Sequence, residues 1–326
     1  MKSFGFNTYG APEVFETIER PKPEPKNNQV LIKTVAFGVN PYDVKLRRGS
    51  EQQNRPLAFP IIPGSDVVGQ IVAMGSEVTD FEIGDWVINL RPLRGYSEYV
   101  TATTSKIVKK PKTMSILDAA SLPTPGVAAY NIIHRFLKRF TDTNDKTIAV
   151  IGASGTVGSI VVQIAKSYGN RVIGIGAKKN AAFMHLIGVD EMGFYDQEDV
   201  GAKFENQADF VVNAAMNGTD NGLINQLVKA GGGSIATVGD IAPVITKSGT
   251  SLAYVHQDKS FDTNQALRFL THLSRTFGLI IRADEALPFN VQGVITAHQK
   301  LEQHTNEGHL VIAQKHERTT THGPAK

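Results

Sequence analysis

No cysteine occurs in the chain, which excludes disulfides, thiolate nucleophiles and every zinc site that needs sulfur ligands. No apolar run reaches the roughly 18 residues that a membrane-spanning helix requires. The start, Met1-Lys2-Ser3-Phe4-Gly5-Phe6, lacks the apolar core and small-residue cleavage site of a secretory signal, so a cytoplasmic protein is the expectation. Neither sign of charge dominates. The 34 Lys and Arg face 31 Asp and Glu, a net of +3, which gives no reason to invoke nucleic acid or an anionic membrane. The short basic pairs Arg47-Arg48 and Lys109-Lys110 read as solvated surface. Internal repeats are absent.

What is present fits two ordinary domains. The 326 residues are 41% hydrophobic and 20% charged, as in a soluble globular protein. Short β-branched runs at 30–39, 67–74, 86–90 and 96–101, separated by Gly and Pro turns, predict an antiparallel barrel or sandwich. After Pro123 the texture changes. Strand patterns at 147–151, 171–176, 209–213, 234–238 and 251–255 alternate with helical patterns at 156–168, 181–187 and 221–229. That alternation predicts a parallel sheet covered on both faces. A further helix is expected at 264–277. Mixed character returns from Leu279, with a helical run near 291–304 and a polar tail from Lys315 that is expected to fray.

The central motif is Gly152-Ala153-Ser154-Gly155-Thr156-Val157-Gly158, between an apolar strand and an amphipathic helix. Ser154 stands where the usual G-x-G-x-x-G turn has its second glycine. Small residues let the backbone approach a diphosphate, and the helix start supplies N–H donors and the positive end of its dipole. The turn therefore predicts a dinucleotide site, against the alternative of a plain strand-to-helix connection. An NAD site places an Asp or Glu about 20 residues on, at the end of the second strand. No acidic residue occurs between Ser159 and Val189, and that strand ends Gly176-Ala177-Lys178-Lys179. NADPH is the expected cofactor, with Ala177 among the residues that bind it and Lys178 the first candidate for the 2′-phosphate. The alternative is that the two lysines are a solvated helix start.

Five segments in order resemble the medium-chain dehydrogenase/reductases, specifically the zinc-free zeta-crystallin-like quinone oxidoreductase branch. Beside the glycine turn these are Val39-Asn40-Pro41-Tyr42-Asp43-Val44-Lys45, Ile62-Pro63-Gly64-Ser65-Asp66-Val67-Val68-Gly69, Gly95-Tyr96-Ser97-Glu98-Tyr99-Val100, and the stretch from Ala119 to Tyr130. The resemblance implies a Rossmann-type doubly wound parallel sheet at 123–278. Inserted around it would be a β-rich GroES-like, partly open barrel from 1–122 and 279–326. It also implies that Asn40, Ser65 and Thr124 stand where the alcohol dehydrogenases carry a Cys, a His and a Cys on catalytic zinc. Neutral Asn, Ser and Thr are poor ligands, so no metal is expected. Ala128 replaces a hinge threonine of the family pattern, which removes a side-chain contact to the cofactor.

By the same resemblance Tyr195 lies beside the adenosine ribose or its phosphate, unless it is an aromatic at the edge of the core. Asn217, Val238, Gly239 and Tyr254 would line the ribose and nicotinamide. The segment with Asn40, Tyr42, Asp43 and Lys45 would face the nicotinamide. Tyr42 is the first candidate to donate to a substrate oxygen, with packed aromatic as the alternative, and Asn40 and Lys45 are further candidates. Asp66 reads as a structural hydrogen-bonding group. Without a metal an alcohol has no simple route to an alkoxide, so the expected reaction is hydride reduction of a quinone or another electrophilic carbonyl. An enone reductase and a cofactor-binding protein with little catalysis are the alternatives. A homodimer is expected through the strand at 251–255.

Overall fold

The computed structural model describes residues 1–91, 93–137, 145–215, 218–231, 233–238, 243–254 and 263–315; at 135–137, 253 and 254 it describes the backbone alone. Contacts divide the chain into two units. One comprises Met1–Thr124, Thr263–Thr271 and Arg282–Lys326, and the other Pro125–Asp262 and His272–Ile281. The expected single return at residue 279 differs from this division inside one helix. Asn264 donates to the Ile107 carbonyl at 3.0 Å, whereas Gln163 exchanges hydrogen bonds of 2.8 Å with the Ile280 backbone.

The first unit opens with the hairpin of β1 (Lys2–Gly5) and β2 (Glu16–Glu19), followed by β3 (Gln29–Val39), helix α1 (Pro41–Arg48), β4 (Asp66–Met74), β5 (Trp86–Leu90), β6 (Tyr99–Thr103), β7 (Ile107–Lys109) and α2 (Ile116–Ser121). Helix α1 was not anticipated as a helix. Its signals are local: Pro41 occupies the first turn, Asp43 accepts from the Asn40 backbone N–H, and Gly49 closes the end at φ 83°. The expected solvated pair Arg47-Arg48 is corrected here. Arg48 is exposed, but Arg47 is fully buried, donating to the Gly10 carbonyl at 2.7 Å and pairing with Glu302. A buried guanidinium persists only with such partners.

The chain passes through α3 (Pro123–Leu137) into the second unit: β8 (Thr147–Ile151), α4 (Thr156–Ser167), β9 (Arg171–Gly176), α5 (Ala181–Leu186), β10 (Glu191–Phe194), α6 (Val200–Lys203), β11 (Phe210–Asn213), α7 (Leu223–Leu227), β12 (Ser234–Thr237) and β13 (Ser251–Tyr254). All six strands are parallel, in the order β10-β9-β8-β11-β12-β13. Numbered within the sheet this is 3-2-1-4-5-6, the doubly wound Rossmann order. The central strands β8 and β11 are buried along their whole length, as cover on both faces demands, and Ile151, Ile173, Val211 and Ile235 meet Phe204 and Leu227 in one core.

Helix α8 (Thr263–Phe277) belongs to the first unit as far as Thr271 and to the second beyond it, and the first unit ends with β14 (Leu287–Pro288), α9 (Val291–Gln303) and β15 (Leu310–Ala313). The larger sheet of this unit runs β14-β15-β3-β4-β5-β7, with β6 also on β3; every pair but β14–β15 is antiparallel. Strand β3 carries β6 on its first half and β15 on its second. Register shifts at Leu31/Ile32 and Thr34/Ala36 bend it, as bulges do in partly closed barrels. The core is aromatic, with Phe37 stacked on Tyr96 at 4.5 Å and Phe4, Phe6 and Phe15 around them.

Candidate functional site

In the second unit the glycine turn lies where the sequence places it, between the end of β8 and the start of α4. Gly152 has φ 78°, and its N–H and that of Ala153 both donate to the Ile175 carbonyl of β9 at 3.0 Å. Gly155 caps α4 without any side-chain bond to the helix start. The first-turn N–H groups of Thr156, Val157 and Gly158 have no helical carbonyl behind them, so three donors converge on the turn. A Cβ on Gly158 would lie 2.2 Å from the Gly152 carbonyl oxygen, so only glycine permits this closeness. The cradle fits a diphosphate.

At the end of β9, Ala177 is half-buried and Lys178 exposed. Tyr195 is 65% exposed. Val238 is half-buried, its N–H held by the Asn213 carbonyl at 2.9 Å. Asn217 and Gly239 lie outside the described residues, and only the backbone of Tyr254 is described. One group was missed. The sequence has no carboxylate between 159 and 189, yet Asp196, leaving β10, accepts from the Lys178 backbone N–H at 2.9 Å.

In the first unit the structure joins residues from across the chain into two buried hydrogen-bond chains. Asn40, between β3 and α1, donates through Nδ2 to Asp66 at 3.1 Å, and its Oδ1 meets His309 Nε2 at 3.1 Å. Asp66, the first residue of β4, also accepts from the Thr124 hydroxyl at 2.5 Å and from its first-turn N–H in α3 at 3.1 Å. Beside it, Asp43 accepts from the backbone N–H groups of Asn40 and Gly64 and from the Tyr96 hydroxyl, which in turn contacts His298 Nε2 at 3.3 Å. Packing here leaves no slack: a Cβ on Gly38 would lie 2.6 Å from the Ala120 carbonyl and 2.7 Å from the His309 ring.

Charge is scarce in this interior. Burial pushes the Asp66 carboxyl up to about 7 against the pull of Thr124 and Asn40, and the Asp43 carboxyl up to about 6. Burial lowers His309 to about 4, and burial with the Arg47 charge lowers His298 to about 3. Both imidazoles are thus neutral at pH 7. Asn40 Oδ1 can only accept, so His309 carries its proton on Nε2, and its Nδ1 has no partner among the described residues. Sequence reading missed both histidines, which sit in no motif.

The positions matched to zinc ligands are therefore turned to another task. Asn40 and Thr124 point hydrogens, not lone pairs, at Asp66, and Ser65 is half-buried with its carbonyl taking the Arg91 N–H at 2.9 Å. Among the described residues no group of three or more His, Asp and Glu could hold a metal ion. Tyr42 is half-buried on α1, and its hydroxyl oxygen accepts from Arg55 at 3.4 Å. Lys45 is half-buried on the same helix. No helix among the described residues is long and apolar enough to cross a membrane.

Comparison with known proteins agrees with this architecture. The family model for the alcohol dehydrogenase GroES-like domain matches residues 26–112. The chain is 33% identical over 198 residues to a chloroplast envelope quinone oxidoreductase homolog of Arabidopsis thaliana, covering 59% of this chain and 60% of that protein. It is 31% identical over 273 residues to an NADPH-dependent alkenal/one oxidoreductase, chloroplastic, of the same plant, covering 77% of this chain and 67% of that one. The solved quinone oxidoreductase of Coxiella burnetii superposes with a TM-score of 0.79 at 27% identity, over 97% of this chain and 99% of that chain. The chain belongs to the quinone oxidoreductase branch of the medium-chain dehydrogenase/reductase family.

Proposed function

We propose that the chain is an NADPH-dependent oxidoreductase that reduces quinones or other electrophilic carbonyl acceptors, enones among them, without a metal. The observation that carries this reading is the cradle at Gly152–Gly158, where a helix start with three open N–H donors meets a turn whose closest approach, Gly158 on Gly152, leaves no room for a Cβ. The names of the Arabidopsis and Coxiella relatives support the reaction class.

When bound, a reduced nicotinamide supplies a hydride. The backbone of Ser154, Gly155, Thr156, Val157 and Gly158 holds the diphosphate, and Lys178 attracts a 2′-phosphate beside Ala177 and Tyr195. Asn217, Val238, Gly239 and Tyr254 line the rest of the cofactor. Tyr42 donates to the substrate oxygen: its own oxygen already accepts from Arg55, so its O–H remains for another acceptor. Asn40 and Lys45 complete the polar surroundings, and Asp66 and His309 fix the Asn40 amide. The engagement of Asn40 and Thr124 as donors to Asp66 supports chemistry without zinc. Strand β13, at the edge of its sheet, is where a second copy pairs to give a homodimer.

The test is NADPH consumption over a panel of quinones, enones and aldehydes, with and without a chelator. Turnover on quinones or enones that a chelator leaves unchanged is expected, faster with NADPH than with NADH, and Tyr42→Phe should lower it several-fold. Binding without turnover on any acceptor would leave a cofactor-binding protein. No rise in melting temperature with saturating NADPH or NADH would end the reading altogether.

A further inference from the structure

The glycine turn and the end of β9 form one structure. Two turn N–H groups share the Ile175 carbonyl, and a Cβ on Gly176 would lie 3.4 Å from Ser154 Oγ. In a sheet of this order the end of the second strand faces the adenosine ribose, and the charge there discriminates a 2′-hydroxyl from a 2′-phosphate. The segment that leaves strand β9 carries only cations, Lys178 and Lys179. The neighbouring strand contributes the anion. Phe194, the last residue of β10, is in register with Gly176, the last of β9, so the two chains leave the sheet side by side. Asp196 then meets Lys178: its two carboxylate oxygens accept from the Lys178 N–H at 2.9 and 3.3 Å. The Lys178 ammonium rests 4.3 Å above the Phe194 ring. Glu198, close by, is already answered by Lys203 at 2.9 Å and by the Phe194 N–H at 3.0 Å.

We propose that Asp196 is a specificity-determining residue that restrains this chain's preference for the 2′-phosphorylated dinucleotide. It sets a fixed negative charge beside the cation that would bind the phosphate. The inference rests on the dinucleotide reading of the turn. A carboxylate there repels a 2′-phosphate and can accept from a 2′-hydroxyl, so the chain binds NAD as well as NADP, with the lysines tipping the balance modestly. Both groups are exposed, and screening holds the effect of the one charge to roughly five- to tenfold in affinity.

The experiment is calorimetric titration of the full chain with NADP⁺ and NAD⁺, for the wild type and Asp196→Asn, in low salt and in about 0.5 M salt. Asparagine keeps an acceptor for the Lys178 N–H, so the turn stays closed while the charge goes. Asp196→Ser, a smaller neutral acceptor, serves if the first variant folds poorly. Expected is a five- to tenfold gain in NADP⁺ affinity with NAD⁺ affinity unchanged or slightly lower, and a smaller gain in high salt. An unchanged ratio of the two affinities, with both dinucleotides still bound, overturns the role of Asp196 and leaves the dinucleotide reading standing. A wild type that binds neither overturns the dinucleotide reading first, and the proposal with it.

Discussion

Asp66 and His309 lie on either side of the Asn40 amide, as Asp43 and His298 lie on either side of the Tyr96 hydroxyl, and their titrations oppose each other. In the unfolded chain carboxyls lose their protons near 3.8, and imidazoles lose theirs near 6.5. Folding raises the carboxyls to about 7 and about 6 and lowers the imidazoles to about 4 and about 3. The Asp66 contribution to stability is thus fully present below pH 3.8 and is lost as the pH rises through about 7. The His309 contribution is present above pH 6.5 and is lost as the pH falls toward about 4. Between about pH 4 and 6 the folded cluster holds two protons on its carboxyls, and the unfolded chain holds two on its imidazoles, so the four groups nearly cancel. Asp66→Asn removes one side of that balance. Its stability relative to the wild type should rise with pH by about 1.4 kcal/mol per pH unit across that window. Urea denaturation of both proteins at several pH values between 4.5 and 6.5 measures the slope; parallel curves would show that Asp66 carries no proton in the folded state. The variant is expected to fold, because an amide turned toward Thr124 still accepts there, and Asn40 can reverse to accept from its N–H.

At the scale of the element, the strand–turn–helix of β8, the glycine turn and α4 separates two uses of glycine. Gly158 faces the Gly152 carbonyl so closely that a Cβ would sit 2.2 Å from its oxygen and 2.9 Å from its carbon. Gly155 has an ordinary φ of −75°, and a Cβ there meets only the Gly152 oxygen at 3.2 Å. Gly158→Ala should therefore cost roughly 1–3 kcal/mol and abolish dinucleotide binding, since the backbone itself must move. Gly155→Ala should keep nearly full stability and lose affinity through the methyl's approach to the phosphates. Melting temperatures and dinucleotide dissociation constants for the pair check this, and equal destabilisation of both would contradict it. The turn was legible in the sequence because all its parts are contiguous. Five of the six parallel strands were legible for the same reason, whereas β10 and α6, four residues each, are too short to show a period of their own. Asp196 was not, because it reaches Lys178 only through the register of β10 on β9. The histidines were further out of reach: His309 meets a residue 269 positions earlier, and His298 one 202 positions earlier. Helix α1 was within reach, since Pro41, Asp43 and Gly49 are ordinary start and stop signals.

For the whole molecule, assembly turns on the outer side of β13. Among the described residues this strand pairs only with β12, so one of its edges presents backbone groups to no strand. The Ser251 N–H donates inward to the Gly233 carbonyl at 3.1 Å. In a parallel ladder successive residues aim their backbone groups to opposite sides, so the N–H and carbonyl of Leu252 aim outward. An edge of this kind invites a second strand, and two copies related by a twofold axis would each offer the same one. Leu252 is also 37% exposed, an apolar side chain beside the open edge. Proline at 252 removes only an outward donor, and proline is tolerated where a strand's N–H faces no partner within the chain. Sedimentation of the wild type should accordingly give twice the mass of one chain. Leu252→Pro should sediment as a single chain that still melts cooperatively and still binds the dinucleotide, because the cradle at Gly152–Gly158 follows β8, three strands away from β13 in the sheet order. A wild type that sediments as one chain would mean that the edge is covered by something other than a second copy.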